Sequence, residues 1–356
     1  MPGSLSPEKT KGKIVLCLRE GVEKGAEVKR AGGAGIISTS SPADGNGILV
    51  DAYHLPGTKV AALDAITILN YINSTKKPMA QIDPVAIVLD TKPAPFMAGF
   101  SSTGPNPIEP NILKPDICAP GLNILAAWSE ASSPSNLDMD HRVVQYNFDS
   151  GTSMATPHVA GIAALLKAVH PTWSSAAIRS AIMTTANVKN NQGNYLTTAF
   201  GTEANPFNYG SGHLRPTKVS DPGLVYDASY TDYLLFLCSI GVNNVDKTFK
   251  CPSNPPSANN LNYPSLAIAH LNGTMTVNRT VTNVGSKPSV YIASVEPPLG
   301  FSVKLQPKIL YFTEVGEKKS FLVTVKAKKG GKGEYSFGSY TWNDGIHEVR
   351  SPIVVW

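Results

Sequence analysis

Ser153 is preceded by Gly151 and Thr152 and followed by Met154, Ala155 and a dense run of small and apolar residues reaching Ala168. A serine hydroxyl is a poor nucleophile until a base takes its proton, and a helix N-terminus favours the developing oxyanion through its N–H groups and dipole. The run predicts a helix over 152–168, apolar on every face and therefore buried all round, with Ser153 in its first turn. Gly151 would permit the turn that presents the serine, and small Ala155 would leave room for a peptide, with Thr152, Met154 and His158 packed around them. A lipase or esterase elbow needs Gly-x-Ser-x-Gly followed by an acid and then a histidine. Ala155 stands where the second glycine belongs, which argues against that chemistry.

A base, and an acid to orient it, are harder to find. His158 lies five residues beyond Ser153 on the same predicted helix, about 140° around the axis, and reads as structural. His170 at a helix end and His213 in a turn read the same way. Asp344 falls in Asn343-Asp344-Gly345, ordinary hairpin chemistry. Asp90 follows a predicted strand, and Asp149 reads as a turn or capping residue. No acid and base pair for Ser153 emerges.

The elements that would position these groups fall into three stretches. Residues 13–90 alternate apolar runs with helical patterns: a strand over Lys13 to Leu18, a helix near Val22 to Ala31, a strand over Gly35 to Ser38, a helix near Leu63 to Asn73 and a strand over Val85 to Leu89. This predicts a small α/β unit. A Pro- and Gly-rich region from Ser101 to Gly121 predicts loops broken by short apolar pieces that could be buried strands. Pro157 is expected in the first turn of the serine helix, where its missing N–H costs little. Pro171-Thr172-Trp173-Ser174 predicts a stop, a cap and a second helix running to about Thr185. After Asn260 the period becomes two, with strands over Thr274 to Thr282, Val290 to Val295, Phe301 to Leu305, Phe321 to Ala327, Tyr335 to Trp342 and Glu348 to Val355, a pattern that predicts a β-sandwich.

Composition agrees with a folded chain of more than one domain: 356 residues, 42% hydrophobic and only 16% charged. The net charge of +5 is dispersed. Its densest run, Lys326-Ala327-Lys328-Lys329 beside Gly330-Gly331-Lys332-Gly333, reads as a solvated hairpin turn and not as a nucleic-acid patch. No apolar stretch is long enough to span a membrane, and Met1-Pro2-Gly3-Ser4 offers no signal for export. Asn73, Asn272 and Asn278 each open an Asn-x-Ser/Thr tripeptide, a feature of secreted proteins. Four cysteines are too few for a disulfide scaffold, but Cys238 and Cys251 flank a short polar segment that could close as a bridged loop.

Taken together, the eleven residues from Gly151 to Gly161 resemble the serine signature of the subtilisin family. The resemblance extends over nearly the whole chain to the plant-type subtilases. Gly12-Lys13-Ile14-Val15-Leu16-Cys17 is similar to their protease-associated insert, and Gly99-Phe100-Ser101-Ser102 with Gly104-Pro105-Asn106 to the return into the catalytic domain. Lys114-Pro115-Asp116-Ile117, Ala119-Pro120-Gly121, Tyr209 to His213, Asp221 to Asp227 and Leu261 to Ser265 also fit, and the C-terminal sandwich resembles a fibronectin type III-like domain. Thr103, where the family usually has Arg, and Cys118, where it usually has a small or β-branched residue, depart from the pattern.

The resemblance implies an α/β fold: the C-terminal part of a subtilisin-like parallel-sheet domain (94–240) with a protease-associated insert (1–93), plus a β-sandwich (256–356). It implies a serine endopeptidase with Ser153 as nucleophile, polypeptide substrates, an extracellular location and no cofactor or metal. Self-association through the insert or an exposed sheet edge is a further expectation; a nucleic-acid or membrane partner is not. The family's order is Asp, His, an oxyanion-hole Asn and then Ser, with the insert between Asn and Ser, so the first three groups are expected upstream of this chain. The chain as written is therefore expected to be inactive, and a non-catalytic binding module built from insert and sandwich is the alternative. The same resemblance implies a partner for Cys17 upstream, leaving Cys17 unpaired.

Overall fold

A computed structural model describes residues 3–328 and 333–356; the basic turn expected around Lys329 to Lys332 lies outside the described residues. The chain divides into two compact units.

The first unit comprises residues up to 101 together with 120–156 and 190–203. After a single helical turn, α1 (Pro7–Thr10), the β-branched runs β1 (Ile14–Cys17) and β2 (Gly35–Thr39) pair in parallel, Ile14 opposite Gly35. Helix α2 (Val22–Arg30) joins them and buries Ala26 and Val28, as a parallel crossover requires. A strand that the sequence pattern did not reveal, β3 (Gly57–Val60), adds in parallel to the other side of β2, and α3 (Ala62–Ser74) follows. The predicted strand over Val85 to Leu89 is not formed: no strand pairs with it, and Val85, Ile87, Val88 and Leu89 are all at least 75% exposed. An apolar run supplies the side chains for a buried strand but cannot supply the neighbour whose backbone would pair with it. The unit also holds an antiparallel hairpin, β4 (Ile124–Ala127) and β5 (Tyr146–Asp149), which leads into α4 (Thr152–Val169).

The boundary between the units falls inside α4, and the second unit takes the rest of that helix together with 102–119, 157–189 and 204–356. The pattern placed α4 well but misjudged its surroundings. Only Leu166 is buried, whereas Leu165 and Val169 are each 63% exposed. The helix starts at Thr152, so Pro157 lies in its second turn and not its first, and has no N–H to offer the carbonyl four residues back. Helix α5 (Ser175–Thr184) begins at the expected cap, where Ser174 Oγ accepts from the N–H of Ala177 at 3.0 Å. A short turn, α6 (Pro206–Tyr209), precedes strand β6 (Leu224–Tyr226) and helix α7 (Tyr230–Ser239). Between 101 and 121 there are loops, as expected. Their contact with a strand partner is the isolated bridge of Cys118 to His213, so the parallel sheet expected of the middle stretch is not built from these residues.

The remaining strands form the predicted sandwich. One sheet runs β10 (Phe301–Gln306), β12 (Lys318–Ala327), β8 (Thr274–Asn283), β6; the other runs β11 (Ile309–Phe312), β9 (Ser289–Glu296), β13 (Ser336–Asn343), β14 (Glu348–Val355), β7 (Leu266–Ile268). Alternate residues of the facing strands, among them Phe312, Phe321, Val323, Tyr340 and Trp342, fill the space between the sheets. Strand β6 comes from outside the stretch that the period-two pattern marked. Leu224 and Tyr226 point into the sandwich core, while Val225 between them joins Leu166, Ala181 and Ile182 in the core beneath α5. The Tyr226 N–H donates to Ser180 Oγ of α5 at 2.8 Å. The predicted bridge is present: Cys238 and Cys251 are disulfide-bonded, with Cα atoms 5.7 Å apart, and Cys17 and Cys118 are free.

Candidate active site

Ser153 is exposed at the second position of α4. The N–H groups of Met154 and Ala155 both donate to the Gly151 carbonyl, at 3.0 and 3.3 Å. Those of Thr152 and Ser153 lie in the first turn, where an α-helix has no acceptor for them, so the helix start offers donors and a positive dipole end beside the hydroxyl. This is an arrangement that can stabilise an oxyanion.

What fixes the turn is a pair of loops that sequence reasoning passed over. The Gly151 N–H donates to the Gly121 carbonyl at 2.8 Å, and a Cβ on Gly121 would lie 2.8 Å from the Gly151 oxygen and 3.3 Å from Ala155 Cβ. The turn expected at Gly151 is braced by Gly121, where the close backbone approach is made. Two residues on, Asn123 accepts from Val50 N at 2.9 Å and donates to the Ile48 carbonyl at 2.7 Å, while its own N–H donates to Ser150 Oγ at 2.7 Å. Asn123 has a positive φ of 53°, which asparagine tolerates better than most residues. The signal available in the sequence was Ala119-Pro120-Gly121, read as a motif and not as a support.

Of the other candidates, Asp90 does not end a strand, because the strand expected before it is not formed, and His213 lies in an isolated bridge and not in a turn. Asp149 accepts from the N–H of Ser150 at 2.7 Å, a local turn bond. His158 is on α4, five positions from Ser153 and so about 140° around the helix axis. The pKa of His213 is lowered, chiefly by burial. His213 Nδ1 lies 3.1 Å from the Leu214 carbonyl, and its backbone exchanges both bonds with Asn187. His170 stacks on Trp173 with ring centroids 3.9 Å apart and reaches the Ser220 carbonyl at 3.0 Å. Asp344 holds its own turn through the N–H groups of Ile346 and His347.

A His and Asp pair in the first unit was not foreseen. His54 Nε2 lies 3.1 Å from Asp140 Oδ1, both side chains being almost fully buried. Asp140 also accepts from Ser135 Oγ at 2.6 Å and from the Arg142 guanidinium at 2.8 and 2.9 Å. The Arg142 bonds hold its carboxyl well below the usual range, so this carboxylate is an anchor. Among the described residues, no hydrogen bond or ion pair joins Ser153 to a histidine or a carboxylate. Among the described residues, no group of three or more His, Cys, Asp or Glu is placed to hold a metal ion, and no helix is long and apolar enough to cross a membrane.

Comparison with known proteins adds an independent line. The subtilase family model matches residues 38–212, and a fibronectin type-III domain model matches 260–355. Subtilisin-like protease SBT5.6 of Arabidopsis thaliana is 53% identical over 366 residues, a match covering 100% of this chain and 46% of that protein. Subtilisin-like protease SBT5.5 of Arabidopsis thaliana is 50% identical, again covering 100% of this chain and 46% of the relative. Subtilisin-like protease Glyma18g48580 of Glycine max is 44% identical, covering 99% and 48%. The chain thus spans about half the length of the curated relatives it matches.

Proposed function

This chain belongs to the subtilase family, and from that premise we propose that Ser153 is the nucleophile of a plant-type subtilisin-like serine endopeptidase, acting on polypeptide substrates outside the cell. The observation that carries the reading is the placement of Ser153: exposed, in the first turn of α4, on a turn clamped by Gly121 and Asn123. In peptide-bond hydrolysis its oxygen would attack the scissile carbonyl, and the first-turn N–H groups would face the oxygen that gains charge. On this reading residues 1–93 are the protease-associated insert, a role supported by the parallel β1–β2–β3 sheet with α2 and α3.

The same reading makes the chain inactive on its own. Nucleophile and base work as a unit, and subtilisin itself is the reference case: losing one member leaves little more than binding and oxyanion stabilisation. Among the described residues, no histidine is bonded to Ser153 to take its proton. A fluorophosphonate probe should therefore label the purified chain no faster than the Ser153→Ala variant. Rapid labelling abolished by that substitution would overturn the inactivity and keep the nucleophile. Rapid labelling that survives it would place a reactive serine elsewhere.

A further inference from the structure

Between α5, α7 and the loop before Lys114 lies a cavity of about 310 Å3 within the second unit. Ile108, Phe236, Ile240 and Leu261 line it, and two cations, Lys114 and Arg179, share it. Their situations differ. Lys114 Nζ lies 2.8 Å from both oxygens of Asp116, and Asp116 also accepts from the Tyr263 hydroxyl at 2.7 Å. Asp116 is thereby engaged. Arg179 is half-buried, its guanidinium carbon 5.6 Å from the centre of the Tyr263 ring, and it makes no ion pair among the described residues. Tyr263 cannot serve as its counter-ion, because burial, and then Asp116, push its hydroxyl pKa far up.

We infer that this cavity is a binding site for a carboxylate carried on an apolar group, with Arg179 taking the carboxylate. A guanidinium presents paired donors in one plane, which match the two oxygens of a carboxylate. The apolar walls take the attached group, in the mixture of apolar lining and few polar contacts that small-ligand sites share. A phosphate dianion fits poorly: Glu109 also lines the cavity, its Oε1 turned to Asn111 at 2.8 Å, and the apolar walls cannot solvate a second negative charge. Two sources share the favoured chemistry, the free C-terminus of a peptide ending in an apolar residue and a small aromatic acid.

The test is calorimetric titration of the whole chain with N-acetyl-phenylalanine, its amide, 3-phenylpropionate, an apolar-ended tetrapeptide acid and inorganic phosphate. The free acids should bind at least about tenfold more tightly than the amide and than phosphate. Arg179→Gln should remove that preference. Should that variant fail to fold, Ile108→Asp at an 81% exposed position should weaken acid binding more than amide binding. Tetrapeptide binding without 3-phenylpropionate binding identifies chain termini as the source; the reverse identifies small acids. Equal binding of acid and amide, phosphate binding as tight as the acids, or acid binding unchanged by either substitution overturns the inference.

Discussion

Nδ1 of His347 lies 2.8 Å from Oδ2 of Asp344 inside the last hairpin of the sandwich, with both side chains nearly buried. Nε2 of the same ring is 3.0 Å from Oδ1 of Asp221, on the loop that leads into β6. Burial by itself would lower the histidine pKa, but the two carboxylates outweigh it and the net direction is up. For Asp344 burial pushes up and the bonds from His347 outweigh it, so its pKa falls. Both partners thus favour the charged pair.

The pair gives stability a defined pH dependence. A histidine raised on folding contributes fully below its unfolded pKa, about 6.5, and loses that contribution as pH climbs through the higher folded value. The lowered Asp344 contributes above about pH 4 and loses its share as pH falls through the folded value. Urea midpoints of the chain should therefore be highest between these limits and decline on the alkaline side. In His347→Gln the alkaline decline should flatten and stability should drop by about 1 to 3 kcal/mol at pH 6. An unchanged alkaline slope would show that another group titrates there.

Gly121 and Gly161 make a matched pair of tests. A Cβ at Gly121 meets the Gly151 oxygen, and backbone cannot step aside as a side-chain end can, so Gly121→Ala should cost about 1 to 3 kcal/mol. Gly161 lies within α4 with nothing within 4 Å of the added carbon, so Gly161→Ala should gain about 0.5 to 1 kcal/mol. Denaturant titration of both variants measures the contrast, and equal effects would contradict the close approach beneath Ser153.

Thiol chemistry should separate the four cysteines. Burial pushes the Cys118 thiol up to about 12, and its sulfur donates to the Gly212 carbonyl at 3.2 Å. Iodoacetamide at pH 8 should therefore modify Cys118 only after unfolding, since the thiolate is the reactive form. Non-reducing peptide mapping should find Cys238 joined to Cys251, and reduction of that bridge should cost about 3 kcal/mol for a loop of this size. Rapid native modification of Cys118 would show that its surroundings open readily.

Limited proteolysis should cut first in the exposed extended stretch around Val85 to Leu89, which has no strand partner to protect its backbone. The smallest resistant fragment that keeps the sandwich should begin upstream of Leu224, because β6 is hydrogen-bonded to β8. N-terminal sequencing of the fragments decides it. A resistant fragment starting near residue 256 would mean that the sandwich stands without β6.

These outcomes follow the line between what the sequence displayed and what it did not. Strands such as Thr274–Asn283 and Glu348–Val355 were legible because alternation is written into consecutive residues, and Ser174 was legible as a cap because its bond is local. Leu224–Tyr226 and Leu266–Ile268 are only three residues each, too short to show a period. Apolar residues on α4 and at 85–89 announced a need for cover, but cover is supplied by other parts of a chain and cannot be read from the run itself. The position of Ser153 in the first turn of α4 was legible from its neighbours. Its support was not, because Asn123 reaches Ile48 and Val50 across more than seventy positions.

Strand β6 is shared by two cores. Its three residues alternate between the core of the sandwich and the core beneath α5, and its Tyr226 is tied to Ser180 on one side and, through its hydroxyl, to Tyr340 and Ser351 on the other. Neither core can lose order without withdrawing a wall from the other. On heating, the two should share a single heat-absorption peak, the layer under α5 being thermodynamically inseparable from the sheets it adjoins even though the chain writes them as successive stretches.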